Sequence, residues 1–109
     1  MKAFTNHKIN GVYLKFPNGN GLSSVWGSGT YSDNYDYEVR DSLNELDYEK
    51  TFKIPNQEGS DTVEVMPHCS ELVMKLLEAK FPDNANGSIF SYLTFTQWLE
   101  IVNILNENK

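Results

Sequence analysis

The sequence predicts an α+β domain: an antiparallel sheet of three to five strands with two helices packed on one face. Three observations predict it. Two β-prone runs, Val12-Tyr13-Leu14-Lys15-Phe16 and Leu22-Ser23-Ser24-Val25-Trp26, flank the turn-forming Pro17-Asn18-Gly19-Asn20-Gly21. Two later segments, around Leu72–Leu77 and Phe95–Leu105, repeat apolar residues at helical spacing. Each is preceded by a short apolar run, Thr62–Met66 and Ile89–Leu93.

The first pair reads as a hairpin, because Asn and Gly tolerate the positive φ that tight turns require. Leu22, Ser24 and Trp26 would share one face. Gly27-Ser28-Gly29 then breaks the strand or marks a bulge. Residues 38–60 read as a flexible acidic insertion, with at most one helical turn at Ser42–Tyr48 and a loop at Pro55–Ser60. Val63 and Val65 would face the core of the third strand, which Pro67 should end. Ser70 should cap a helix running to about Lys80, stopped by Phe81-Pro82. Leu72, Val73, Leu76 and Leu77 form its apolar stripe. A turn-rich loop, Asp83–Ser88, leads to the strand Ile89–Leu93. Thr94 and Gln97 have the spacing of a capping box before the last helix. Phe95, Trp98, Leu99, Val102 and Leu105 lie on one face of that helix, widened by Ile101 and Ile104. Phe16, Leu76, Trp98, Leu99 and Val102 are expected in the core.

Length bounds the answer to one domain, since 109 residues with 39% hydrophobic content fill a single core. Charge is uneven. Residues 1–32 carry net +3, residues 33–64 net −7 and residues 65–109 net −2. An acidic middle argues against non-specific binding to nucleic acid or anionic membrane, both of which need a basic face. No apolar run reaches the ~18 residues of a membrane span. The N-terminus lacks the apolar stretch of a signal peptide. The single cysteine, Cys69, excludes an internal disulfide. A cytosolic protein is expected.

Four constellations are candidate sites. Tyr31, Tyr35 and Tyr37 alternate with Asp33, Asp36 and Glu38, beside Asn34, in an aromatic–acidic stretch suited to anchoring a basic protein partner. The plainer reading is a solvated loop. Trp26, Gly27, Gly29 and Tyr31 would let a planar, nucleotide-like ligand stack against a close backbone. The plainer reading is a bulged strand end with core aromatics. His68-Cys69, at a strand-to-helix junction, places a thiol where a helix N-terminus would lower its pKa. A nucleophile also needs an oriented base, and neighbours in sequence seldom face each other. The acids at 33–38 lack the ligand register of a calcium loop, and no second thiol accompanies Cys69, so neither metal nor cofactor is expected.

Phe16-Pro17-Asn18-Gly19 followed by Trp26-Gly27-Ser28-Gly29-Thr30-Tyr31-Ser32-Asp33-Asn34 resembles a pattern found in small proteins of tailed phages and phage-derived elements. That pattern is an F-x-N-G turn, an aromatic-Gly strand end and then N/T-Y-x-x-N. The family's acid-containing strand is similar to Thr62-Val63-Glu64-Val65, and its final strand and helix are similar to Tyr92-Leu93-Thr94 and the C-terminal helix. The chain departs at Ser32, where the pattern has cysteine, and in its longer acidic segment. The resemblance implies a phage-type accessory protein and no chemistry. The expectation is a non-enzymatic protein that binds and blocks a host or defence protein with a basic surface. The alternatives are a domain sequestering a nucleotide-like molecule at Trp26, and a small enzyme using His68 or Cys69. Self-association is left open.

Overall fold

In the computed structural model the described residues are 3–5, 10–27, 29–33, 35–41, 50–55 and 59–109, with 35–41 and 50–55 as backbone only. Nine strands and two helices are found among them. They are β1 (Phe4–Thr5), β2 (Gly11–Lys15), β3 (Gly21–Val25), β4 (Tyr35–Asp41), β5 (Lys50–Pro55), β6 (Gly59–Ser60), β7 (Thr62–His68), α1 (Glu71–Lys80), β8 (Ala85–Asn86), β9 (Ile89–Thr94) and α2 (Phe95–Glu107). The main sheet has five antiparallel strands in the order β2-β3-β7-β9-β8. The α+β class expected from sequence is therefore correct.

The turn between β2 and β3 closes through Phe16 N–H to Asn20 O (2.7 Å) and Gly19 N–H to Phe16 O (3.0 Å), with Gly19 at φ 95°. Register puts Leu14, Leu22 and Pro67 in one row and Val12, Ser24 and Val65 in the next. These rows face the helices. Leu22, Val63, Val65, Phe90 and Leu93 from the sheet meet Val73, Leu77 and Phe81 of the α1 region, Ile101 and Leu105 of α2, and Phe4. The opposite face carries Tyr13, Met66 and His68, all exposed, and the half-buried Glu64.

Both helices start as their sequences dictate. The Ser70 hydroxyl accepts from Val73 N–H at 3.3 Å. Thr94 and Gln97 form a complete capping box, with Thr94 N–H donating to Gln97 Oε1 and Gln97 N–H to Thr94 Oγ1. Phe81 ends α1.

Several expectations are corrected. Pro67 does not end β7, which runs on to His68. The last register pair with β9 is Val65–Phe90, so beyond it β7 has no neighbour on that side and a missing N–H breaks no ladder bond. Leu76 and Leu99 are exposed rather than buried, and Phe16, Trp98 and Val102 are half-buried. The buried row of each helix is a single i, i+4 pair, Val73–Leu77 and Ile101–Leu105. Leu72 and Leu76 lie about 100° round from that row, and Leu72 is 77% exposed. The loop at 83–88 contains the short strand β8, paired to β9.

Within the expected acidic insertion the backbone forms strands. β4 and β5 make a separate antiparallel pair, with Glu38 opposite Lys53 and Val39 opposite Phe52. The helical turn expected at Ser42–Tyr48 lies outside the described residues. β6 pairs with β1, and a Cβ on Gly59 would collide with the Phe4 carbonyl. Only glycine allows that approach.

Candidate functional site

The opening feature of the site is a β-bulge. Val63 pairs with Leu93 and Val65 with Phe90, so two β9 residues, Ser91 and Tyr92, oppose the single Glu64 of β7. The extra residue is Tyr92, which takes φ 53°. A bulky side chain rarely adopts positive φ, and doing so costs on the order of 1–3 kcal/mol. Its neighbour Ser91 is buried, and its hydroxyl has no hydrogen-bond partner among the described residues.

Local hydrogen bonds hold this conformation. Ser91 N–H donates to Asn84 O (2.9 Å), and Asn84 Nδ2 donates to Ser91 O (2.9 Å) and Tyr92 O (3.3 Å). Tyr92 N–H donates to Tyr31 O (3.0 Å), and Tyr31 N–H to Glu64 Oε1 (2.9 Å). The loop 29–33 is thus stitched over the bulge. The result is an aromatic pair, Tyr31 and Tyr92, with ring centroids 6.5 Å apart and planes inclined by 63°. The two residues are 50% and 47% exposed. Bulges commonly re-aim a side chain, and this one presents a tyrosine beside a carboxylate.

The sequence-predicted residues divide between uses. Tyr31 is in the site. Asp33 anchors the loop: its N–H donates to Thr62 Oγ1 (2.6 Å), its carbonyl accepts from Ser60 Oγ (2.6 Å), and its carboxylate accepts from Thr62 Oγ1 (3.3 Å). Asn34 lies outside the described residues. Tyr35, Asp36, Tyr37 and Glu38 belong to β4, two residues on from Asp33. Trp26 is half-buried, stacks obliquely on Phe4 (5.4 Å) and donates its indole N–H to Thr5 O (3.0 Å). Gly27 is buried at φ 99°, with its N–H donating to Ser32 Oγ. Gly29 is exposed at φ 84°. Trp26 and Tyr31 thus take different ring partners. Sequence reasoning missed Glu64 and Tyr92. The available signal was spacing, since two core residues three apart, Phe90 and Leu93, break the period of two and require an extra residue.

His68 is exposed, its ring 5.7 Å from that of Tyr13. Cys69 departs from expectation: burial pushes its thiol up, opposite to the lowering expected at a helix N-terminus. The folded chain therefore forms thiolate at higher pH than the unfolded chain does. Alkylation by iodoacetamide at pH 8 is expected to run several-fold slower on the native chain than on the urea-unfolded chain. Faster native labelling would mean an activated thiol. Among the described residues, no group of three or more His, Cys, Asp or Glu is placed to hold a metal. None of their helices is long and apolar enough to cross a membrane. An open groove of about 390 Å³ is lined by the exposed Leu72 and Leu76 together with Val73, Lys75, Asn108 and Lys109.

No family model, curated protein or solved structure matches this chain.

Proposed function

We propose that this chain is a non-enzymatic, phage-type accessory protein that binds and blocks a host or defence protein. The contact surface is the open sheet face around Tyr31, Tyr92 and Glu64, continued by the acidic strand β4. One observation carries the reading. The fold holds Tyr92 at an unfavourable φ, fixed by Asn84 and Tyr31, with the residue about half exposed. Such strain concentrates at functional positions. Rigid, half-exposed tyrosines are favoured anchors in protein interfaces because they lose little side-chain freedom on binding. Tyr13 and Met66 extend the apolar character of the same face.

The rival readings have less support. The Trp26 indole already has a ring neighbour and a hydrogen-bond acceptor, which leaves less of it for a stacked ligand. The upward shift at Cys69 disfavours a thiolate nucleophile.

The test is quantitative binding to a partner captured from host lysate and then purified. Asp36→Lys/Glu38→Lys is the informative variant, with Asp33 kept because it anchors the loop. Association should slow roughly ten-fold or more at low salt, with a smaller difference at high salt and a melting temperature close to the parent's. Unchanged binding at low salt would reduce the acids of β4 to a solubility role.

A further inference from the structure

We infer that the bulge forms a notch for one cationic side chain, an arginine or lysine presented by a basic protein partner. The inference rests on the protein-binding reading above and specifies its chemistry. Tyr31 and Tyr92, both about half exposed, supply two aromatic rings inclined at 63°. The negative face of an aromatic ring attracts a cation placed within about 6 Å of its centroid. Glu64 supplies the carboxylate. It sits opposite Ser91 and Tyr92 across the sheet, and Oε1 accepts from Tyr31 N–H at 2.9 Å. That bond fixes the carboxylate at the Tyr31 backbone, across the bulge from Tyr92, and engages one of its two oxygens. Among the described residues no lysine or arginine pairs with Glu64; the ion pair found joins Lys80 and Glu100 instead. Two rings and an unpaired carboxylate are complementary to a cation. A neutral apolar side chain would fill the same wedge while covering the carboxylate, which is unfavourable.

Charge across the chain points the same way. The formal net charge is −6, and residues 33–64 hold ten of the fifteen acids. A basic partner would be drawn to the acidic chain and would lock by placing one cation in the notch. Planar guanidinium suits the site best, since it stacks on an aromatic face while its edge N–H groups donate to a carboxylate.

The strained backbone gives an unusually clean test. Glycine and asparagine tolerate positive φ, so Tyr92→Gly and Tyr92→Asn remove the ring without opposing the bulge. Both are expected to fold and to melt near the parent. The probe is Nα-acetyl-arginine amide, titrated into the ¹⁵N-labelled full chain and followed by amide chemical shifts. Nα-acetyl-lysine amide is a second cation, and Nα-acetyl-citrulline amide is the uncharged isostere. Shifts are expected at Tyr31, Glu64 and Tyr92 with both cations, and not with citrulline. Tyr92→Gly, Tyr92→Asn and Glu64→Gln should each weaken the arginine response roughly five-fold or more. The inference is overturned if citrulline matches arginine, if shifts fall on the acids at large and not on the bulge, or if folded Tyr92→Gly and Glu64→Gln respond like the parent. No partner protein enters this titration. Its failure would remove the notch and leave the β4 binding test standing, while failure of that test alone would leave the notch intact.

Discussion

Trp98→Ala is expected to destabilise the chain by about 3 kcal/mol, near the low end for aromatic-to-alanine changes because the ring is only half-buried. On a chain of this size that lowers the melting temperature by roughly 12 °C or more. The indole holds three things at once. Its ring stacks on Phe95 at 6.0 Å and meets Phe4 edge-on at 6.3 Å. Its Nε1–H donates to the Ser24 hydroxyl at 2.9 Å. Ser24 is fully buried on β3, so α2 and the sheet are joined by a polar contact inside an apolar layer. The variants separate these contributions. Trp98→Phe keeps most of the ring but strips the Ser24 hydroxyl of its described partner, at about 1–2 kcal/mol. Trp98→Phe/Ser24→Ala removes both polar groups and should recover part of that loss, giving a non-zero coupling energy in the double-mutant cycle. Urea denaturation of the parent, Trp98→Phe, Ser24→Ala and the double variant measures it. Strict additivity would mean the hydrogen bond contributes nothing to stability, and an alanine variant melting like the parent would place Trp98 outside the core.

Much of the fold is legible in the sequence, because local chemistry decides it. Asn-Gly fixes the β2–β3 hairpin, Ser70 and the Thr94–Gln97 pair fix both helix starts, and Phe81-Pro82 ends α1. The width of each helical stripe is not legible. Leu72, Leu76, Phe95 and Leu99 satisfy helical periodicity as well as Val73 and Ile101 do, yet a small sheet covers only one row of each helix. The pairing of β4 with β5 is equally hidden: Tyr35, Tyr37 and Val39 alternate with Asp36, Glu38 and Arg40 at strand spacing, but the charge crowded through residues 33–64 reads as a solvated insertion. The site was half legible. Tyr31 stood out as an aromatic in a glycine-rich loop. Tyr92 and Glu64 did not, because a bulge is a property of two strands in register and neither strand announces it alone. In the sequence Asn18 and Asn20 announce only turn geometry, and the structure gives them a second task.

That second task carries the other large effect. α2 ends with no basic residue in its last turn, and Glu107 there sets a carboxylate at the negative end of the helix dipole, so no favourable side-chain charge meets it. Its last carbonyls also lack intrahelical donors. The β2–β3 turn supplies them. Asn20 Nδ2 donates to Leu105 O at 2.9 Å and to Asn108 O, and Asn18 Nδ2 donates to Leu105 O at 2.8 Å and Asn106 O at 3.2 Å. Asn18 Oδ1 in turn accepts from Asn20 N–H at 2.9 Å, which ties the two amides into one clamp. Asn20 is buried, so water cannot fully replace it. Asn20→Ala is expected to cost about 2 kcal/mol, because it removes the buried donor from Leu105 O and Asn108 O and leaves both to Asn18 alone. Asn20→Asp is nearly isosteric and should cost more than alanine, because it turns a donor into an anion facing carbonyl oxygens at the negative end of a helix. Asn18→Ala, at a less buried position, should cost less than either. Melting temperatures measured at pH 7 rank the three. The aspartate variant should regain stability on acidification toward the carboxylate's own pKa, where protonation restores a donor, while the alanine variant should show no such gain over the parent. An aspartate variant as stable as alanine at neutral pH would mean that the Asn20 amide does not donate to α2, and that the hairpin and the last helix are held together by apolar contact alone.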